Sequence, residues 1–409
     1  MVSTDHPIHS GHGPQAVVVG VCAHGLALVR GLARAGIPVI ALECNRRLPG
    51  FHTRDALVHH VQDINGSGLL EALSQLRDEW PEDPDPVLFL TNDNMVRTVG
   101  QAAGALQGYR LSWAHCAQDV LALLDKAALE SHCRTHDLPY PQTGLLERID
   151  DLGNLKDLKF PLIAKPTRPL SGFKVRQVKS RDALEALARR FPEALPFLLQ
   201  QWIPGDDRRI HFTAFYLEHG KILASFDGRK LASHPPAMGQ TTVAESHPHP
   251  VMRDLAERFF APLNLSGPVS LEAKLDSEGK PWIIEPTLGR TDYWLDVCVA
   301  NGVNLPLVEY QAQCETLNES QPEQEVGTIW FDTERSPLSY WRQRLRGGDT
   351  FSNPWRARFA YWDKHDPLPF VVAMMHLVKD LAIRITRRVA RMMPWRASKS
   401  KGGADQGLT

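Results

Sequence analysis

At 409 residues, with 43% hydrophobic and 23% charged residues, the chain has the composition of a soluble globular protein of two or three domains. Its net charge of -1 gives no whole-chain reason for nucleic-acid binding, and no apolar run approaches the length that spans a bilayer. The six cysteines (Cys22, Cys44, Cys116, Cys133, Cys298 and Cys314) show no C-x-x-C spacing, which argues against a zinc centre or disulfide framework and fits a reducing cytoplasm.

Residues 1–14 read as a disordered polar leader without the basic start and apolar stretch of a signal peptide. Folding is expected from Gln15. The run Ala16 to Val21 is β-branched and continuous, as in a buried parallel strand, and a helix to about Ala35 and a second strand, Pro38 to Glu43, follow. The turn between them, Gly20-Val21-Cys22-Ala23-His24-Gly25, departs from G-x-G-x-x-G, so a dehydrogenase reading is weak. Val87 to Asn94 is another buried strand with a polar C-terminal edge, where open α/β sheets gather ligands. Asp93 there either touches a small substrate or caps the next helix.

From Asp119 a helix carries Lys126. A strand then ends near Lys165, a polar loop runs from Thr167 to Lys174, and a short strand, a helix (Asp182 to Phe191) and the strand Phe197 to Ile203 follow. The break Pro204-Gly205-Asp206-Asp207 precedes a β-meander and a helix from Pro248 to about Leu263. Val269 to Arg290 reads as a β-hairpin, with Gly279 supplying positive φ in the turn. Pairing across that turn lets Glu272 and Glu285 share a face, where two carboxylates repel unless a cation lies between them. Mg²⁺ suits such a site because it takes carboxylate, water and phosphate oxygens. The alternative from the hairpin alone is that both glutamates face solvent.

Taken together and in this order, from about Gln15 to Thr316, these segments resemble the ATP-grasp superfamily, in its carbamoyl-phosphate-synthase-like or carboxylate–amine ligase branch. The resemblance implies an α/β fold: a Rossmann-like pre-ATP-grasp domain over 15–118, then an ATP-grasp domain over 119–320 whose two α+β subdomains grip ATP, with a lid at about 160–200. It implies that Lys126 and Lys165 contact the phosphates and that Ser171, Gly172 and Lys174 lie in the mobile phosphate loop. Gln200, Gln201, Trp202 and Ile203 would read adenine, and Asp207 the ribose hydroxyls. Glu272 and Glu285 would bridge one or two Mg²⁺ ions (or Mn²⁺), with Thr287 where the family usually has asparagine. Arg290, Arg229 and Lys230 would hold the substrate carboxylate or the phosphate.

The implied chemistry is an ADP-forming ligase joining a small carboxylate to an amine or similar nucleophile through an acyl phosphate. The rivals are a bicarbonate-using enzyme of carbamoyl-phosphate-synthase or carboxylase type, and a non-catalytic ATP sensor. A homodimer is common among such relatives, and no nucleic-acid partner is expected.

Residues 321–395 read as a basic, amphipathic extension, and 396–409 as a disordered tail. From Arg335 onward there are 15 basic and 5 acidic residues. Within 370–393, Met374, Val378, Leu381, Ile385, Val389 and Met392 form one helical stripe, with Arg384, Arg387, Arg388 and Arg391 on the other side. Such a helix either lies on an anionic membrane, which would place the protein at the inner membrane face, or docks on the protein body.

Overall fold

The computed structural model describes residues 13–80, 83–155, 158–167, 173, 175–237, 239–317, 323–345 and 356–392. Its first layer is a four-stranded parallel sheet. The chain runs β1 (Ala16–Val19), α1 (Ala23–Ala33), β2 (Val39–Glu43), β3 (Leu57–His60), α2 (Gly66–Glu79), β4 (Val87–Leu90) and α3 (Asp93–Gln101), with strands ordered β3-β2-β1-β4. β1 and β4 are wholly buried, as apolar runs covered on both faces must be. The β1–α1 turn is tight. Gly20 has φ of 86°, and a Cβ on Gly25 would stand 1.8 Å from the Gly20 carbonyl oxygen, so only glycine lets α1 start there.

The single helix expected from Asp119 is two. α4 (Ala117–Leu123) ends, Asp125 caps with its carboxylate on the Ala127 and Ala128 N–H groups, and α5 (Lys126–Thr135) begins. Lys126 is therefore the first residue of a new helix, a position set by the aspartate cap.

The second layer is a small antiparallel sheet: β5 (Thr143–Leu146), β6 (Leu162–Pro166), β7 (Arg176–Val178) and β8 (Phe197–Gln201), ordered β5-β8-β6-β7, with α6 (Arg181–Arg190) packed on it. It has its own core, built on Leu146, Leu162, Phe173, Leu184, Phe197 and Leu199. This unit contains the segment 160–200 and begins earlier in the chain, at β5.

The third layer is a seven-stranded sheet in the order β13-β12-β9-β10-β11-β14-β15. Its strands are β9 (Ile210–Glu218), β10 (Lys221–His234), β11 (Gln240–Ser246), β12 (Gly267–Leu275), β13 (Pro281–Leu288), β14 (Thr328–Phe331) and β15 (Arg356–Phe359). The helices α7 (Pro250–Phe260), α8 (Leu295–Ala300), α9 (Leu305–Gln313), α10 (Ser339–Leu345) and α11 (Leu368–Met392) complete the chain. The β12–β13 hairpin is as expected: Gly279 has φ of 82°, its N–H donates to the Asp276 carbonyl, and Asp276 accepts from the Glu278 and Lys280 N–H groups.

The extension expected over 321–395 is instead largely part of this body. β14 pairs antiparallel with β11, and β15 lies parallel to β14. Trp330, Phe331 and Tyr361 are buried. Their aromatic bulk seals one end of the sheet, and the basic residues that suggested a separate segment are in part spent on it: Arg358 donates to Asp296 at 2.9 Å. Amphipathic α11 is as expected, and its apolar stripe at Val378, Leu381 and Ile385 is not docked on the body. Pro369 and Ala373 face the body, while Val378, Leu381 and Ile385 are exposed.

Candidate active site

The paired strands β12 and β13 place Glu272 directly opposite Glu285. Directly opposed residues point to one face, with Cβ atoms about 4.5–5.5 Å apart in general. Glu272 is buried and Glu285 exposed, so the pair spans from sheet to cleft. The solvent-facing alternative holds for Glu285 alone.

Glu272 is held from several sides. Lys230 on β10 approaches it at 3.6 Å, and the Trp294 indole N–H donates to it at 3.3 Å. Trp294 is fixed in turn by stacking on Phe212, with centroids 3.7 Å apart. Burial pushes the Glu272 carboxyl up to about 7; Lys230 opposes that, and Asp292 and Glu285 add to it. Thr287 donates its hydroxyl proton to Asp292 at 2.9 Å, which leaves its oxygen lone pairs open. Two carboxylates and a hydroxyl, completed by phosphate oxygens, form a donor set that Mg²⁺ accepts. Among the described residues no three carboxylate, imidazole or thiol groups converge to hold an ion by themselves.

Lys165 lies on β6 of the small sheet, opposite Leu198 of β8, and Lys126 opens α5. The Lys126 ammonium is held below its ordinary value by desolvation and then by Lys165, with Glu285 opposing. These three charges therefore belong to one electrostatic group at the junction of the two sheets. Ser171, Gly172 and Lys174 lie outside the described residues.

The segment Gln200 to Ile203 crosses from β8 toward the body. The Gln201 N–H donates to the Gln142 carbonyl and the Trp202 N–H to the Pro161 carbonyl. The Ile203 N–H has no partner among the described residues although Ile203 is buried. Lys274 lies 4.6 Å over the Trp202 ring and donates to the Gly205 carbonyl at 2.7 Å, which ties this crossing to β12.

Two expected site residues are placed elsewhere. Asp207 is buried, and its carboxylate accepts from the Ser233 N–H at 2.9 Å, the Ser233 hydroxyl at 2.8 Å and the Ala237 N–H. It organises the end of β10 rather than a ribose contact. Arg229 is on the far face of the large sheet from Lys230, because neighbours in a strand alternate. It pairs with Glu245 (Nε to Oε1, 2.8 Å) and stands opposite His211. The structure thus separates Arg229 from the Glu272 cluster.

Arg290 closes the site toward the first sheet. Its Nε donates to Asp93 at 2.7 Å and its Nη1 to the Thr291 carbonyl at 3.0 Å. Asp93 opens α3 at the C-terminal edge of β4, the ligand edge of a parallel sheet. Asn92, rather than Asp93, supplies the helix cap, through its side chain on the Met95 N–H. His24 bridges the same junction, with Nε2 2.8 Å from the Thr291 hydroxyl and Nδ1 3.3 Å from the Thr91 carbonyl. Burial, and then Arg290, pull its imidazole down to about 4, so it is neutral at physiological pH. His24, Asp292 and Trp294 were missed by sequence reading. The one signal was the run Gly289-Arg290-Thr291-Asp292 just past the second acid strand.

No protein-family model and no curated relative matches the chain. Solved structures do. An N5-carboxyaminoimidazole ribonucleotide synthetase in its ADP complex is similar at 13% identity over 85% of this chain and 90% of that one, with a TM-score of 0.63. A carboxyaminoimidazole ribonucleotide synthase from Aspergillus clavatus, complexed with ATP, is similar at 16% identity over 77% and 80%, TM-score 0.59. An L-amino acid ligase from Bacillus licheniformis is similar at 15% identity over 78% and 79%, TM-score 0.58.

Proposed function

The chain has the ATP-grasp fold, and from that premise we propose that it is an Mg²⁺-dependent, ADP-forming ligase that activates a small carboxylate for attack by an amine or similar nucleophile. The observation that carries this reading is the Glu272–Glu285 pair, directly opposed across β12 and β13, with Glu285 acting electrostatically on Lys126, which Lys165 also faces.

In this reading ATP lies between the small and large sheets. Its adenine edge meets the Ile203 N–H and the neighbouring carbonyls, and its phosphates meet Lys126 and Lys165. Both lysines balance charge on the phosphate oxygens without having to reorganise. Glu272, Glu285 and Thr287 would hold Mg²⁺, which supplies further charge neutralisation on the transferring phosphoryl group. Lys230 and the Trp294 N–H keep Glu272 in place. The γ-phosphoryl passes to a substrate carboxylate oxygen as its bond to the β-phosphate oxygen breaks. The nucleophile then displaces phosphate from the acyl carbon, and ADP leaves.

Arg290 is positioned to receive the carboxylate, since its planar fork suits a two-oxygen partner and Asp93 already fixes its orientation. Substrate would enter at the edge of the parallel sheet beside His24 and Asp93. The small sheet would exclude water from the activated acyl group.

The test is release of ADP and phosphate from MgATP with pooled amino acids, organic acids, amines and bicarbonate. Release that needs a pool, and that falls about 10²-fold or more in Glu285→Gln, is expected. Full turnover in that variant would remove the metal assignment. ATP binding without turnover under any pool would replace the ligase by a sensor.

The face assignment makes a second prediction. Lys230→Met should lower kcat/KM by roughly tenfold or more, because it strips the counter-charge from Glu272. Arg229→Gln, on the opposite face, should change kcat/KM less than about twofold in folded protein. Equal losses in the two variants would overturn the assignment of Lys230 to the catalytic face.

A further inference from the structure

The described residues include sixteen exposed large apolar side chains, and twelve of them lie from Val326 onward. The other four, Leu145, Phe160, Ile222 and Val251, are scattered over separate segments. The concentration peaks on α11. Its first turns are anchored: Pro369 and Ala373 are buried, and Phe370 meets Trp362 edge-on at 5.2 Å. Beyond them the helix leaves the body. Val378, Leu381 and Ile385 are 67%, 56% and 55% exposed and recur at the three-to-four spacing that lines one helical face. Val371 and Met375 extend that face back toward the anchored end.

Charge is distributed with the same polarity. The first 334 residues carry 31 basic and 42 acidic residues, and the remainder carry 15 and 5. An acidic body is therefore joined to a basic end. On α11 itself Lys379, Arg384, Arg387, Arg388 and Arg391 stand against Asp380 alone. No helix among the described residues is long and apolar enough to cross a membrane.

We propose that the projecting half of α11, from Val378 to Met392, is a surface anchor that lies in the headgroup region of an anionic bilayer. Val378, Leu381 and Ile385 enter the acyl boundary while the arginines meet lipid phosphates. An exposed apolar stripe flanked by arginine is the composition that binds at this boundary, and basic residues gain there from the negative surface potential. The charge polarity also sets orientation, since the acidic body is repelled by the surface that attracts the helix. A second copy of the chain fits less well. The basic stripe needs an apolar and acidic groove, and the other exposed apolar face among the described residues, Leu338, Trp341 and Leu345 at α10, carries Arg342 and Arg344 beside it rather than acidic residues.

The test is flotation of the full chain with vesicles of phosphatidylcholine alone or with about one third phosphatidylserine. Wild type is expected to float with the anionic vesicles and not with the neutral ones. About 1 M salt, where the screening length is about 3 Å, should release it. Leu381→Asp with Ile385→Asp changes two exposed side chains and spares the fold, and it should cut partitioning about tenfold or more. Equal flotation of wild type and double variant, or no flotation of wild type, overturns the proposal. So does a concentration-dependent dimer that the double variant abolishes in the absence of any vesicle binding, which would give the face to a second copy.

Discussion

Replacing Asp366 with alanine is expected to lower the unfolding free energy by about 3–5 kcal/mol, because it leaves a buried arginine without its counter-charge. Arg30 on α1 and Asp366 just before α11 are 1% and 0% exposed, with Nη2 3.0 Å from Oδ2. Asp366 also accepts from the Thr53 hydroxyl at 2.6 Å and the Arg54 N–H at 3.1 Å. Arg30 spends its remaining donors on the carbonyls of Ala360, Tyr361 and Asp366. Every group is satisfied, so removing one partner costs more than removing both. Arg30→Met with Asp366→Leu should recover part of the loss, since it removes the uncompensated charge but leaves the Thr53 hydroxyl, the Arg54 N–H and the three carbonyls without these partners. Urea unfolding followed by tryptophan fluorescence measures both. A loss below about 1 kcal/mol for the single variant would show that water reaches Arg30 and that the pair is not a fastening.

This fastening joins the first domain to the C-terminal segment across 336 positions of sequence, and nothing local announces it. Arg30 sits in a helix and Asp366 before a proline, both ordinary places for a surface charge. By contrast, the β12–β13 hairpin was legible from its alternation and its Asp-Ser-Glu-Gly-Lys turn, and Glu272 and Glu285 followed from pairing across that turn. Lys165 was legible as the end of an apolar strand.

The failures have physical causes. Arg229 and Lys230 are adjacent and equally basic, and only the register of β10 against β9 and β11 decides which faces Glu272. That register contains shifts that composition does not reveal. Asp207 follows a Pro-Gly break, as a ligand-binding acid would, yet it is consumed by Ser233, another residue whose approach depends on tertiary contact. β14 and β15 were absorbed into a basic extension because each is only four residues long; β14 is buried by pairing with the distant β11, and β15, which carries Arg356 and Arg358, is the half-exposed edge strand paired to β14. Periodicity thus reported local faces correctly where a turn fixed the partner. It failed where the partner lay far along the chain.

Glu309→Gln is expected to stabilise the protein above about pH 8 and to leave it unchanged near pH 4.5. Glu309 lies on the buried side of α9, 4% exposed, and accepts the Ser112 hydroxyl proton at 2.6 Å. Burial pushes its carboxyl up to about 8 from an ordinary value of 4.5, and Ser112 opposes the rise. The folded protein therefore keeps a proton on Glu309 that the unfolded chain has already released. Between these two values the folded state binds more protons than the unfolded state, so stability falls as pH rises. The slope is about 1.4 kcal/mol per pH unit and the total about 5 kcal/mol, fully lost above the folded-state value. Glutamine has the shape of the protonated acid, and its Oε1 can still accept from Ser112. The variant should follow wild type at low pH and diverge from it as pH rises, reaching an advantage of about 3–5 kcal/mol near pH 8.5. Urea unfolding at several pH values measures the divergence. Parallel curves would mean that Glu309 ionises in the folded state at an ordinary pH, which would require water at the α9 contact with Ser112. Alanine would not serve in place of glutamine, because it removes the acceptor and opens a cavity, and both losses would be present at every pH.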